Sequence, residues 1–179
     1  MKLGYTVGIV LGIIVVLLVL LTGLLPDTAA REGEARFCAD RETVFAHFHQ
    51  PERITAWSSI FGSVEPDEVE LIGDSGEASG LRLTDDQRWL QLEVVDSQAP
   101  EFLRYQFSTH DGLSVAADIS LQAQDSDTAA SVTMEQQFST YFGRWARFFV
   151  GGVFADLMQE EFEGIHQVLA EAGHECPAS

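Results

Sequence analysis

The 179-residue chain carries 28 acidic residues against ten basic ones, a formal charge of −18 at pH 7 with histidine neutral. A field of that sign repels phosphate backbones and anionic headgroups, which excludes nucleic acid as a partner. The length allows one membrane segment and one domain.

The run from Val7 to Leu25, "VGIVLGIIVVLLVLLTGLL", holds no charge. As a helix at about 1.5 Å per residue it spans roughly 28 Å, close to the ~30 Å hydrocarbon core of a bilayer. The expectation is a transmembrane anchor over residues 1–26, making the membrane a partner through Val7 to Leu25. The alternative is a cleaved signal peptide, since "PDTAA" offers small residues at a cleavage site. Signal h-regions run about 7–15 residues, and this run is longer. Lys2 precedes it, while Arg31, Arg36 and Arg41 follow it, so the positive-inside count does not decide orientation. The short N-terminal head favours an inside N-terminus. The expected location is a bacterial inner membrane, single-pass, with the domain in the periplasm.

Residues 27–33 are polar and read as a linker. The domain is expected over residues 34–173. "EARFCA" (Glu34 to Ala39) is a candidate first strand. Asp40 suits an N-cap, and Val44, Phe45 and Phe48 form a helical stripe. Pro51 ends that helix and opens a second, Glu52 to Trp57, with Ile54 and Trp57 on one face. The period then changes to two. Six short segments follow, at "EVELIG", "ASGLRLTD", "RWLQLEVVD", "FLRYQFSTH", "LSVAADISLQA" and "SVTMEQQFST". One face collects Leu90, Leu92, Val94, Leu103, Tyr105, Phe107, Val115, Ala117, Ile119, Val132, Met134 and Gln136. Turn residues such as Asp111-Gly112 separate the segments, which predicts an antiparallel meander. A proline-free helical pattern runs from about residue 142 to 172, and Gly173 stops it. Residues 174–179 are a tail. Of the two cysteines, Cys38 opens the domain and Cys176 lies in the tail. Their spacing matches no zinc or redox motif. They could pair in an oxidising compartment, although two unpaired thiols are the commoner case.

This order of elements predicts an α+β domain: one strand, two short helices, six strands of a curved antiparallel sheet, and a long C-terminal helix across it. A transmembrane helix would precede it. One helix covers only part of such a sheet, so a space can remain between them. The two short helices would close the end of that space. "ADRETVFAHFHQPERITAW", the order of elements, and the long helix preceded by "TMEQQF" resemble the SRPBCC superfamily. Its helix-grip fold is that of START, Bet v 1 and polyketide cyclase/dehydrase-like proteins. The resemblance spans about residues 31–172. Family sequences often carry a second Trp soon after the first, where this chain has Phe61. The resemblance implies a hydrophobic small molecule or lipid held between sheet and long helix. It implies no particular reaction.

No nucleophile elbow, phosphate loop or zinc-protease motif occurs. No catalytic residue, metal site or cofactor is expected. His47 and His49 are two apart on a helix, point in different directions and read as exposed. His110 reads as a solvated turn residue, and His166 as a surface residue. Gly151-Gly152 inside the long helix suggests close packing or room for a ligand, against a kink. Cavities of this kind are apolar with a few orienting polar groups. Tyr105 and Gln136 are the polar candidates. Trp57, Phe107, Met134, Trp145, Phe149 and Val153 are apolar ligand contacts, with Leu92 and Ala117 beside them.

Three functions fit. The first is a membrane-tethered binding module for a hydrophobic molecule. The second is an enzyme of cyclase, dehydratase or hydrolase-like type using the same cavity. Such an enzyme would need a buried carboxylate or histidine, which the strand alternation does not offer. The third is an envelope protein-interaction module with a filled core, its protein partner unknown.

Overall fold

A computed structural model describes residues 13, 20, 22–62, 68–73, 79–86, 88–138, 143–174 and 176, with backbone alone at 68, 143 and 145–151. The period-two segments form one seven-stranded antiparallel sheet in the order β1-β7-β6-β5-β4-β3-β2. The strands are β1 (Thr28–Phe37), β2 (Glu68–Ile72), β3 (Gly80–Asp85), β4 (Arg88–Gln98), β5 (Phe102–Thr109), β6 (Ser114–Gln124) and β7 (Asp127–Gln137). From β2 to β7 each strand pairs with the next in sequence, as short turns dictate; β1 closes the far edge on β7. The register keeps the expected apolar residues together. Leu92 faces Phe107, Phe107 faces Val115, and Ala117 faces Met134. A bulge between Val94 and Asp96 breaks the β4–β5 ladder, letting that strand bend.

β1 begins at Thr28, so most of the expected linker is strand. Its polar side chains hid this: β1 is an edge strand with several exposed positions.

Helix α1 (Arg41–His49) starts where Asp40 caps it, the carboxylate accepting from the Thr43 amide and hydroxyl at 2.8 Å each. Those two donors hold the Asp40 carboxyl below the usual range. Pro51 sits in the first turn of α2 (Pro51–Trp57). A third helix that periodicity did not reveal, α3 (Ser59–Gly62), follows at once. At four residues it is too short to show a period.

Helix α4 (Gly143–Glu171) lies across the sheet and seats on β1. Gly33 on β1 makes room: a Cβ there would stand 3.1 Å from Met158 Sδ. Phe37 is fully buried at this seam, its ring against Phe48, Phe162 and His166. His166 is therefore a packing residue of the seam, where the sequence reading had it on the surface. Gly173, with φ +92°, terminates α4, and the His174 amide returns to Leu169 O at 2.9 Å.

Cys38 and Cys176 are bonded. The bridge pins the end of α4 to the end of β1, an outcome the sequence had left open.

The expected location is corrected: among the described residues, no helix is long and apolar enough to cross a membrane. The longest helix, α4, interrupts its apolar surface with Asp156, Glu160, Glu161 and Glu163. Placement as a single-pass inner-membrane protein with a periplasmic domain therefore has no support. Most of Val7 to Leu25 lies outside the described residues.

Candidate functional site

Because α4 seats at the β1 side, its N-terminal half stands off the middle strands. The space is a cavity of about 450 Å³, within the ~300–1,000 Å³ typical of small-molecule sites. Its floor is the inner face of β4 to β7, with Leu92, Phe107, Ala117 and Met134 side by side. Phe154, Leu157, Met158 and Glu161 of α4 form the roof, at helical spacing. Ile54, Trp57 and Phe61 close one end. Phe61 meets Phe107 edge-to-face at 6.1 Å. Leu113 and Val153 also line the cavity and are 37% and 63% exposed.

Five of the expected contacts are in this wall: Trp57, Tyr105, Phe107, Met134 and Val153. Gln136 is not. It shares their sheet face, but its register partners are Val115 and Ala29, one pair beyond the last β7 residue in the wall, Met134. Trp145 and Phe149 belong to α4, and their side chains lie outside the described residues. On Gly152 a Cβ would meet nothing within 4 Å, so close packing does not explain that glycine. Gly151 lies outside the described side chains.

Tyr105 is buried, as its strand position predicts, but its hydroxyl serves the fold. Pro51 stops α1, which leaves the last carbonyls of that helix without intrahelical partners. Tyr105 Oη donates to Phe48 O, and Trp57 Nε1 donates to His47 O at 3.0 Å. Two wall residues thus cap the C-terminus of α1. Burial pushes the Tyr105 hydroxyl well above the usual phenol range, so it does not ionise near neutral pH.

His47 is also corrected: it is buried, 8% exposed. Its Nδ1 has no hydrogen-bond partner. Burial, with the charges of Arg53 and His174, lowers its pKa. Among the described residues no cluster of His, Cys, Asp or Glu could hold a metal.

Glu161 is the site residue that strand alternation could not show, because it comes from the helix. Its Oε1 accepts from the Ser59 amide at 2.8 Å, the Ser59 hydroxyl at 2.7 Å and the Ile60 amide at 3.4 Å. Burial nonetheless raises its pKa, against the hydrogen bonds from Ser59, Ser58 and Ile60. One turn on, Gly164 lets the backbone of α2 come close: a Cβ there would lie 2.0 Å from Trp57 O.

No family model matches the chain, and no curated protein matches it. Solved structures do. A conserved protein from Geobacillus kaustophilus aligns at TM-score 0.61 and 16% identity, covering 80% of this chain and 96% of that one. A Rhodobacter sphaeroides protein aligns at TM-score 0.57 and 19% identity, over 80% and 93% of the two chains. A START superfamily protein from Mycobacterium smegmatis aligns at TM-score 0.56 and 13% identity, over 78% and 98%. The fold is START-like. The seven-stranded sheet gripping a C-terminal helix is the helix-grip arrangement that the sequence order predicted. At these identities the likeness speaks for the START-like fold alone.

Proposed function

We propose that this START-like domain is a binding module for a hydrophobic small molecule or lipid, held between the sheet and α4. The observation that carries the reading is a cavity of about 450 Å³ whose wall, among the described residues, is apolar except for Ser58, Tyr105, Thr109 and Glu161. Apolar surface with a few fixed polar groups is the pattern of ligand sites. An apolar ligand would gain roughly 25 cal/mol per Å² removed from water. Trp57, Phe107, Met134 and Val153 are its contacts in this reading. A space of this volume counts against an interaction module with a filled core.

Ala117 supplies the test. It lies in the floor between Tyr105 and Met134. Ala117→Trp should fill the cavity and abolish fluorescence enhancement of a neutral apolar dye such as Nile red, with the circular dichroism spectrum unchanged. Equal enhancement in both proteins, or none in the parent, would contradict the reading.

One observation favours the enzymatic reading. Glu161 puts a carboxyl of raised pKa in the cavity wall, as a general acid or base of a cyclase, dehydratase or hydrolase-like reaction would need. A turnover assay on any molecule that co-purifies, with Glu161→Gln as control, separates carrier from enzyme.

A further inference from the structure

We propose that the outer edge of β1 is a docking site for an extended basic strand of a partner protein, which pairs with it and lengthens the seven-stranded sheet by one. The site is separate from the cavity and does not depend on the cavity being a ligand site.

Register shows which backbone groups the edge offers. β1 pairs with β7 on one side and ends the sheet on the other. The Phe138 amide donates to Asp27 O at 2.7 Å, which makes Asp27 and Phe138 a hydrogen-bonded pair. Such pairs alternate along an antiparallel ladder. With Thr28 opposite Gln137, the odd residues from Ala29 to Phe37 therefore bond to β7. The even ones, Thr28, Ala30, Glu32, Glu34 and Arg36, turn N–H and C=O outward. Arg31 Nη1 reaches Ala30 O at 3.3 Å, in keeping with that direction. Among the described residues no segment pairs with this edge. Natural edges are blunted by brevity, proline, a bulge or charge. β1 runs ten residues in unbroken register without proline, whereas β2, at the other edge, has five. Charge is the device left, and it selects the occupant. Gly33 and Phe37 face α4, so the even side chains lie on the opposite face of the sheet. Glu32 and Glu34 are exposed there, while Arg36 is paired with Asp127 at 2.7 Å. A second copy overlapping the outward residues in full sets Glu32 against Glu32, with −18 on each chain. A strand with Lys or Arg opposite Glu32 and Glu34 meets attraction at both. Main-chain bonds then supply affinity, and the alternate basic side chains supply specificity.

The test is fluorescence anisotropy of labelled peptides, matched in length to Thr28 through Arg36, added to the full chain at physiological salt. One alternates valine and lysine, the second carries glutamate in place of lysine, and the third is the lysine peptide methylated on its lysine backbone nitrogens. Methylation keeps the charge and removes the ladder donors. The lysine peptide should bind, the methylated one should lose about tenfold or more, and the glutamate one should not bind. Amide exchange should slow at Ala30, Glu32, Glu34 and Arg36 when the lysine peptide is present. In Glu34→Pro the ring removes an outward N–H that β7 does not use, so β1 keeps its place at the sheet edge. That variant should weaken the lysine peptide about tenfold beyond Glu34→Gln, which removes the charge alone. Equal affinity for the methylated and unmethylated peptides would overturn the proposal, since charge alone then explains binding. Absence of binding would overturn it too, as would a dimer of the free protein protected at these same amides. The peptide comparison on the parent protein decides the matter even if the proline variant does not fold.

Discussion

Glu161 of α4 and Ser59 of α3 hold each other across the roof of the cavity, the Ser59 amide and hydroxyl donating to one carboxylate oxygen at 2.8 and 2.7 Å. The bond does two things. It satisfies the start of α3, and it fixes a carboxyl beside an apolar space.

Two substitutions separate these effects. Glu161→Leu removes the acceptor of the Ser59 amide and hydroxyl, a loss of about 1–3 kcal/mol. Glu161→Gln keeps an acceptor and removes the charge. Burial raises the folded-state pKa of Glu161 above its ordinary value of 4.5. The folded protein therefore holds more protons than the unfolded chain just above pH 4.5, and stability falls as pH rises through that window. Glu161→Gln should accordingly be more stable than the parent at pH 7, with the gain gone below about pH 4.5. Urea denaturation at the two pH values checks both the size and the sign.

Gly164 and Gly152 on α4 make a second pair. A Cβ on Gly164 would sit 2.0 Å from the Trp57 carbonyl oxygen, a backbone atom that does not swing aside. Gly164→Ala should cost about 1–3 kcal/mol through overpacking, outweighing the ~1 kcal/mol that alanine gains in a helix. A Cβ on Gly152 meets nothing within 4 Å. Gly152→Ala should stabilise by up to about 1 kcal/mol. Thermal unfolding of the two variants should shift in opposite directions.

The contrast between these glycines also shows how far the sequence could be read. Periodicity exposes an element when its two faces differ. Leu92, Phe107, Ala117 and Met134 alternate with polar residues, so the sheet and the floor of the cavity were legible. The stop at Pro51 and the cap at Asp40 were legible because those residues act locally. The polar stretch from Thr28 was not, because an edge strand presents polar side chains. Nor was Glu161, since one acidic residue among several on α4 differs from the others only by meeting Ser59, 102 positions away. Gln136 lies off the cavity wall for a related reason. Alternation gives the face of a strand but not where along it the cavity ends.

His47 predicts a loss of stability in mild acid. It is buried and its folded pKa lies below the ordinary 6.5. As pH falls below 6.5 the unfolded chain takes up a proton that the folded protein resists, so stability declines until the folded pKa is passed. His47→Phe should flatten that part of the pH–stability curve. A curve unchanged by the substitution would remove His47 as the cause.

The Cys38–Cys176 bond closes a loop spanning 138 positions. A cross-link over such a loop restricts the unfolded chain by up to about 5 kcal/mol in the chain-entropy account, and native bridges commonly contribute ~2–5 kcal/mol. Cys38→Ser, or reduction, should lower the urea midpoint by a corresponding amount. The end of α4 should lose amide-exchange protection first, because the bond ties it to β1.

The central claim is that the space under α4 holds a hydrophobic molecule. Native mass spectrometry of the full chain, purified from its source with any bound molecule extracted and identified, tests it most directly. The account predicts a stoichiometric adduct with an apolar body, absent from Ala117→Trp. A clean unliganded mass that persists after incubation with a mixture of amines, alcohols and lipids would contradict it.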